Sequence, residues 1–154
     1  MKNRLTIKRA IVSVSDKTHL NQLVKYFLKF NIHILSTGGT SKHLKQLNSK
    51  VSVEEISDFT KFKEILDGRV KTLHPLIYAG ILAKRNDSRH QKQLNQINIP
   101  NIDLVIINLY PFEKFSKNAN SSDDECIENI DIGGPSMIRA AAKNHKDVVI
   151  LTKP

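Results

Sequence analysis

The chain has 154 residues, 40% hydrophobic and 25% charged, which is enough for one ordinary globular domain with a real core. Its longest apolar runs, such as "LVIIN" and "DVVIL", are far too short to cross a bilayer, and the start "MKNRLTIKRA" has positive charge without the apolar stretch of a signal peptide. Cys126 is the only cysteine, which excludes an internal disulfide and a cysteine-rich metal site and suits the cytoplasm.

The net charge of +9 is spread along the chain, with no dense basic block and no basic-aromatic stripe. It is therefore assigned to solvated surface and to a few cations around an anion site; neither nucleic acid nor a membrane is an expected partner.

In chain order, "RAIVSVS" (Arg9 to Ser15) reads as a β-branched strand. Leu20, Leu23, Val24, Phe27 and Leu28 then repeat with helical spacing and predict a helix with one buried face. "IHIL" is a short strand, "STGGT" a turn, "SKHLKQL" a short helix and "VSVEEI" a third strand. "FKEIL" reads as a helical turn closed by Asp67 and Gly68. Pro75 and Gly80 argue that "RVKTLHPLIYAGILAK" is extended or irregular. A helix is expected near Ser88 to Ile97, and "DLVIINLYPF" has the continuous apolar run of a strand buried on both faces. An acidic helix follows at Ser122 to Ile130, then a helix opening at Gly133–Gly134–Pro135, and "DVVILT" as a last strand. There is no repeat, linker or low-complexity tract.

This alternation predicts an α/β fold of three layers, with a mostly parallel sheet covered by helices on both faces. Ligands in such folds bind beyond the carboxyl ends of the strands, and the unusual segments "SDK", "STGGT" and "NLYPF" all follow predicted strands.

Between a strand and a helix, "STGGT" offers glycine backbone, the hydroxyls of Ser36, Thr37 and Thr40, and a helix amino terminus. That suits a phosphate; the plainer reading is a tight turn with Thr40 as helix cap. It is neither a P-loop nor a dinucleotide fingerprint. In "SDK", Ser15 or Asp16 reads most simply as a cap. "DGRVKTLHP" holds Arg69, Lys71 and His74 among Val70 and Leu73, so the segment is expected to pack down and hold its cations in place. His74 before proline reads as structural, with no second histidine at metal spacing and no HExxH pattern. Asn108 and Tyr110 close the central strand on one side. Asp131 lies before a helix start, where a carboxylate is comfortable and can serve as a base, and Lys143 ends that helix about three turns later.

Taken in order, "SVSDKT", "STGGT", "DGRVKTLHP", "AGILA", "NLYPF", "ENIDIGGP" and "RAAAKNH" closely resemble the amino-terminal domain of the bifunctional purine biosynthesis proteins, which combine IMP cyclohydrolase with AICAR transformylase. The resemblance runs from about Arg9 to Pro154. It implies a methylglyoxal-synthase-like fold and a reaction that closes the second purine ring, formyl-AICAR going to IMP with loss of water, without metal or redox cofactor. The implied nucleotide contacts fall on Ser15, Asp16 and Lys17, on Thr37, Gly38, Gly39 and Thr40, and on Arg69, Val70, Lys71 and Thr72. Others fall on Ile107, Asn108, Asp131, Ile132 and Gly133, and the implied catalytic set is Lys71, Tyr110, Asp131 and Lys143.

The family's chain continues into a larger transformylase domain, whereas this sequence stops at "LTKP". Residues 1–154 are therefore expected to be a cyclohydrolase domain lacking its closing part, with the transformylase absent and a homodimer expected of the full-length protein. Methylglyoxal synthase and non-catalytic nucleotide-sensing domains are the competing readings. "RVKTLHP" and "NIDIGGP" argue against the former.

Overall fold

Five short strands pair into one sheet in the order β3-β2-β1-β4-β5, every neighbouring pair parallel. They are β1 (Arg9–Val14), β2 (His33–Ser36), β3 (Val53–Glu55), β4 (Leu104–Asn108) and β5 (Val149–Leu151). The computed structural model describes residues 5–153.

Side chains alternate across the sheet and feed two cores. Ala10, Val12 and Val14 of β1, with Ile34 and Ile106, face one core. That core is closed by Leu20, Val24 and Phe27 of α1 (Leu20–Lys29) and by Leu44 of α2 (Gly38–Leu47). Ile11, Leu35, Val105 and Ile107 face the other. There α4 (Pro75–Leu82) supplies Ile77 and Ile81, and α8 (Gly133–Lys143) supplies Met137, Ala140 and Ala141. Burial on both faces is why residues 10–12 of β1 and 104–107 of β4 are apolar throughout.

Of the remaining helices, α5 (Ser88–Gln96) is capped by Asp87, whose carboxylate accepts from the Arg89 and His90 backbone N–H groups. The acidic helix is α7 (Asp123–Glu128), opened by a reciprocal capping box between Ser122 and Glu125.

Two expectations are corrected and two short helices are added. "PLIYAGIL" is the helix α4, with Pro75 in its first turn, where the missing N–H costs nothing. Its apolar residues surround the helix, so no helical period marks it, and Gly80 is explained by packing: a Cβ there would stand 2.8 Å from Ile102 Cδ1. "FKEIL" is no helical turn. It leads into a tight reversal in which Ile65 and Val70 bridge antiparallel, N–H to carbonyl at 3.1 and 3.3 Å. Finally, α3 (Ile56–Thr60) and α6 (Phe112–Ser116) are single-turn helices that short segments do not announce.

The strand order reverses between β1 and β4, which leave the sheet in opposite directions of connection. Beyond their carboxyl ends lies the crevice where such sheets bind ligands.

Candidate active site

A cavity of about 650 Å³ occupies that crevice. Its floor is the ends of β1 and β4, one side is the β2–α2 turn, and the mouth is flanked by residues 67–72 and 127–134.

At the β1 end, Asn108 organises the turn. Its Oδ1 accepts from the N–H groups of Ser15 at 2.7 Å and Asp16 at 3.1 Å, and its Nδ2 donates to the Asp16 carbonyl at 2.7 Å. Those two backbone donors are therefore spent. Ser15 and Lys17 line the cavity. Asp16 does not: its carboxylate accepts from the Thr18 hydroxyl and from Thr18 N–H at 2.9 Å, and these bonds hold it below its ordinary range. It closes a local turn with Thr18 and does not cap α1, whose N-cap is His19 without a side-chain capping bond, so the expected cap at Ser15 or Asp16 is corrected.

In "STGGT" the hydroxyls divide. Ser36 Oγ is buried and donates to the Val12 carbonyl at 2.7 Å. Thr40 Oγ1, also buried, bonds the Val14 backbone at 3.2 and 3.3 Å and ties α2 to β1. Thr37, not Thr40, is the helix cap, and its hydroxyl makes no capping bond; it lies 3.4 Å from Ser13 Oγ at the cavity wall. Among the described residues no group accepts from the N–H of Gly38, Gly39 or Thr40. Three orphan donors and the positive end of a 10-residue helix make this a ready anion site. Gly39 borders the cavity, whereas Gly38 does not; a Cβ on Gly38 would meet only Glu55 Oε2 at 3.8 Å, an ordinary contact.

Across the mouth, Arg69, Lys71 and Thr72 line the cavity, and Val70 is turned into the bridge with Ile65. Arg69 pairs with Glu128, and this pairing, with Asp67 nearby, holds its guanidinium above the ordinary value. Lys17 and Lys71 pair with no carboxylate among the described residues. His74 is structural: its Nδ1 accepts from Leu76 N–H at 3.3 Å and caps α4, and its ring lies 5.7 Å from that of Phe62.

Tyr110 is half-exposed at the rim, and Ile107 forms part of the floor. Asp131 stands at the opening of α8. One oxygen, Oδ1, accepts from Gly134 N–H at 2.8 Å. The glycines are needed for closeness: a Cβ on Gly133 would run into Thr72 Oγ1, and one on Gly134 would lie 2.5 Å from Asp131 Oδ2 and 2.9 Å from Leu109. Ile132 and Gly133 also line the cavity.

Lys143 is not brought to this site. It ends α8, about 15 Å along the axis from Gly133 at 1.5 Å per residue. It borders instead a shallow surface depression with Tyr78, Leu82, Ser136 and Arg139.

Several wall residues were not singled out as site residues from the sequence. Ser13 sits inside an apolar strand and could have been found by its odd polarity. Ile127, Glu128 and Met137 carried no signal, because their place in the wall depends on how α7 and α8 pack.

A five-stranded parallel sheet with a phosphate-sized donor nest at the first helix after β2 and a second glycine-opened helix facing it defines a methylglyoxal-synthase-like domain. The chain belongs to the MGS-like domain family, whose model matches residues 19–136. It is 54% identical over 148 residues to the bifunctional purine biosynthesis protein PurH of Acetivibrio thermocellus, covering 96% of this chain and 28% of that one. The corresponding protein of Bacillus subtilis is 50% identical over 150 residues, covering 97% of this chain and 29% of its own length. The chain thus spans under a third of the curated relatives it matches. Among solved structures, the crystal structure of ForH superposes with a TM-score of 0.75 at 32% identity, covering 95% of this chain and 74% of that one.

Proposed function

We propose that the chain is a cytoplasmic IMP cyclohydrolase domain that closes formyl-AICAR to IMP. The observation that carries this reading is the single cavity wall that gathers Ser15, Lys17, Thr37 and Gly39 at one end and Lys71, Tyr110 and Asp131 at the other. The first group, with the α2 amino terminus, suits a phosphate. The second offers two donors and one acceptor for a proton-transfer reaction.

The carboxamide nitrogen adds to the formyl carbon and gives up one proton. The formyl oxygen, now a hydroxyl, takes a second proton and leaves as water while the formamido nitrogen loses its proton and forms the C=N bond of the ring. No electrons are exchanged. Because both reacting groups belong to one molecule, holding the nucleotide folded supplies much of the rate. In this reading Lys71 and Tyr110 donate to the formyl oxygen as it gains charge, and the free oxygen of Asp131 takes the amide proton. Lys143, which the family resemblance adds to this set, stands too far along α8 for direct transfer within one chain, so Lys71 is given the acid's role.

The partners are small-molecule nucleotides. Fusion to a transformylase domain is supported by relatives that are bifunctional and more than three times as long. A homodimer is part of the same proposal for the longer protein. The test is direct: incubation with formyl-AICAR, followed by the appearance of IMP absorbance. IMP binding with no turnover would favour a nucleotide sensor or a cyclohydrolase domain that needs the rest of its chain, and absence of turnover in the longer protein as well would sink the enzyme reading.

A further inference from the structure

The two flanks of the cavity mouth meet where Gly133 packs on Thr72 and, further out, through an ion pair. Arg69 lies within the tight reversal closed by the Ile65–Val70 bridge, and Glu128 is the last residue of α7. The Arg69 guanidinium donates to Glu128 Oε1 across the mouth, with both side chains more than half exposed. Six charged side chains line the cavity: Lys17, Arg69 and Lys71 against Asp67, Glu128 and Asp131. The unliganded cavity is therefore balanced, although its α2 end is built for an anion. Of the three cations, only Arg69 is neutralised by direct contact, among the described residues.

We propose that Glu128 is a positioning and selectivity residue: its carboxylate holds Arg69 at the mouth and stands in for an anionic group of the ligand, which displaces it on binding. The chemistry is matched, because a guanidinium fork takes a carboxylate and a phosphate with the same geometry. The exchange is easy, because an exposed pair is weak. Three consequences follow. An anion gains a cation that an uncharged nucleoside cannot use. Releasing Glu128 breaks the ion pair between the two flanks and leaves the ligand to link their charges, with the packing of Gly133 on Thr72 kept. Removing the carboxylate in advance frees Arg69 and tightens anion binding. This rests on the cavity being an anion site, as the proposed function also does, but it does not require the ligand to be formyl-AICAR.

The experiment is a double-mutant cycle on the full chain, using Glu128→Gln, Arg69→Ala and the pair, with IMP, inorganic phosphate and inosine titrated by calorimetry at low and high salt. Glu128→Gln should tighten IMP and phosphate by about two- to fivefold, the range of an exposed ion pair, and leave inosine unchanged. The gain should vanish in the Arg69→Ala background and shrink at high salt. An unchanged or weakened anion affinity in Glu128→Gln, with an unaltered melting temperature, would overturn the proposal. So would an equal gain for inosine, which would mean simple steric opening. If phosphate shows the gain but IMP does not bind, the nucleotide reading falls and the role of Glu128 stands. If neither anion binds the wild type, both fall.

Discussion

Asn108 and Asp16, 92 residues apart in the chain, are joined by a reciprocal pair of hydrogen bonds, Asp16 N–H to Asn108 Oδ1 at 3.1 Å and Asn108 Nδ2–H to the Asp16 carbonyl at 2.7 Å. With the bond from Ser15 N–H at 2.7 Å, this side chain sets the course of the β1–α1 turn at the cavity floor. Asn108→Ala is predicted to weaken IMP binding about tenfold, equivalent to about 1.4 kcal/mol, because Ser15 and Lys17 lose their fixed placement. Calorimetric titration checks it; wild-type affinity in a folded variant would reduce the bracket to a structural turn.

The two glycine pairs make opposite forecasts. Gly134→Ala forces a Cβ against Asp131 Oδ2 and Leu109, so it should destabilise the domain by ~1–3 kcal/mol and slow turnover by moving Asp131. Gly38→Ala has only an ordinary contact to make, and its φ is not in the left-handed region, so stability should hold or rise by up to ~1 kcal/mol. Denaturant midpoints of the two variants decide the matter. A Gly38→Ala loss as large as that of Gly134→Ala would contradict this account of the turn.

Asp131→Asn keeps an oxygen to accept from Gly134 N–H but removes the base. The cyclisation rate is predicted to fall by roughly 10²–10⁴-fold while IMP affinity is largely kept. Lys143→Ala, by contrast, alters a residue outside the cavity and should leave IMP affinity unchanged. Loss of nucleotide binding on Lys143→Ala would mean that the cavity extends further than its wall residues indicate.

Hydrogen bonds from Arg89 and His90, the Arg89 side chain first among them, pull the Asp87 carboxyl from its ordinary 3.8 to about 2. A depressed acid contributes stability above its unfolded value and loses it as pH falls through the folded one. The cap of α5 should therefore be intact at pH 4 and above and fail progressively toward pH 2. Amide exchange of α5 measures this. Asp87→Asn, which still accepts hydrogen bonds, should flatten the pH dependence; an unchanged profile would place the acid sensitivity elsewhere.

By itself the sequence determined the architecture and the neighbourhood of the site. β1 and β4 are legible because strand centres buried on both faces must be apolar, as residues 10–12 and 104–107 are, and the α7 cap because Ser122 and Glu125 act within one turn. The family motifs likewise fall where local backbone requirements are strict, as at Gly133 and Gly134. Only the tertiary structure decided which groups in those motifs remain free for a ligand. Ser36 and Thr40 look like phosphate donors beside Thr37, yet their hydroxyls are taken by β1, 24 and 26 residues away. Lys143 looks like a partner of Asp131, yet a straight helix carries it to the far end of α8. Arg69 looks like an unopposed cation, yet Glu128 meets it across the mouth from 59 residues away. A hydrogen bond is a relation between two groups, and where the second lies far off in the chain, local composition and spacing hold no record of it.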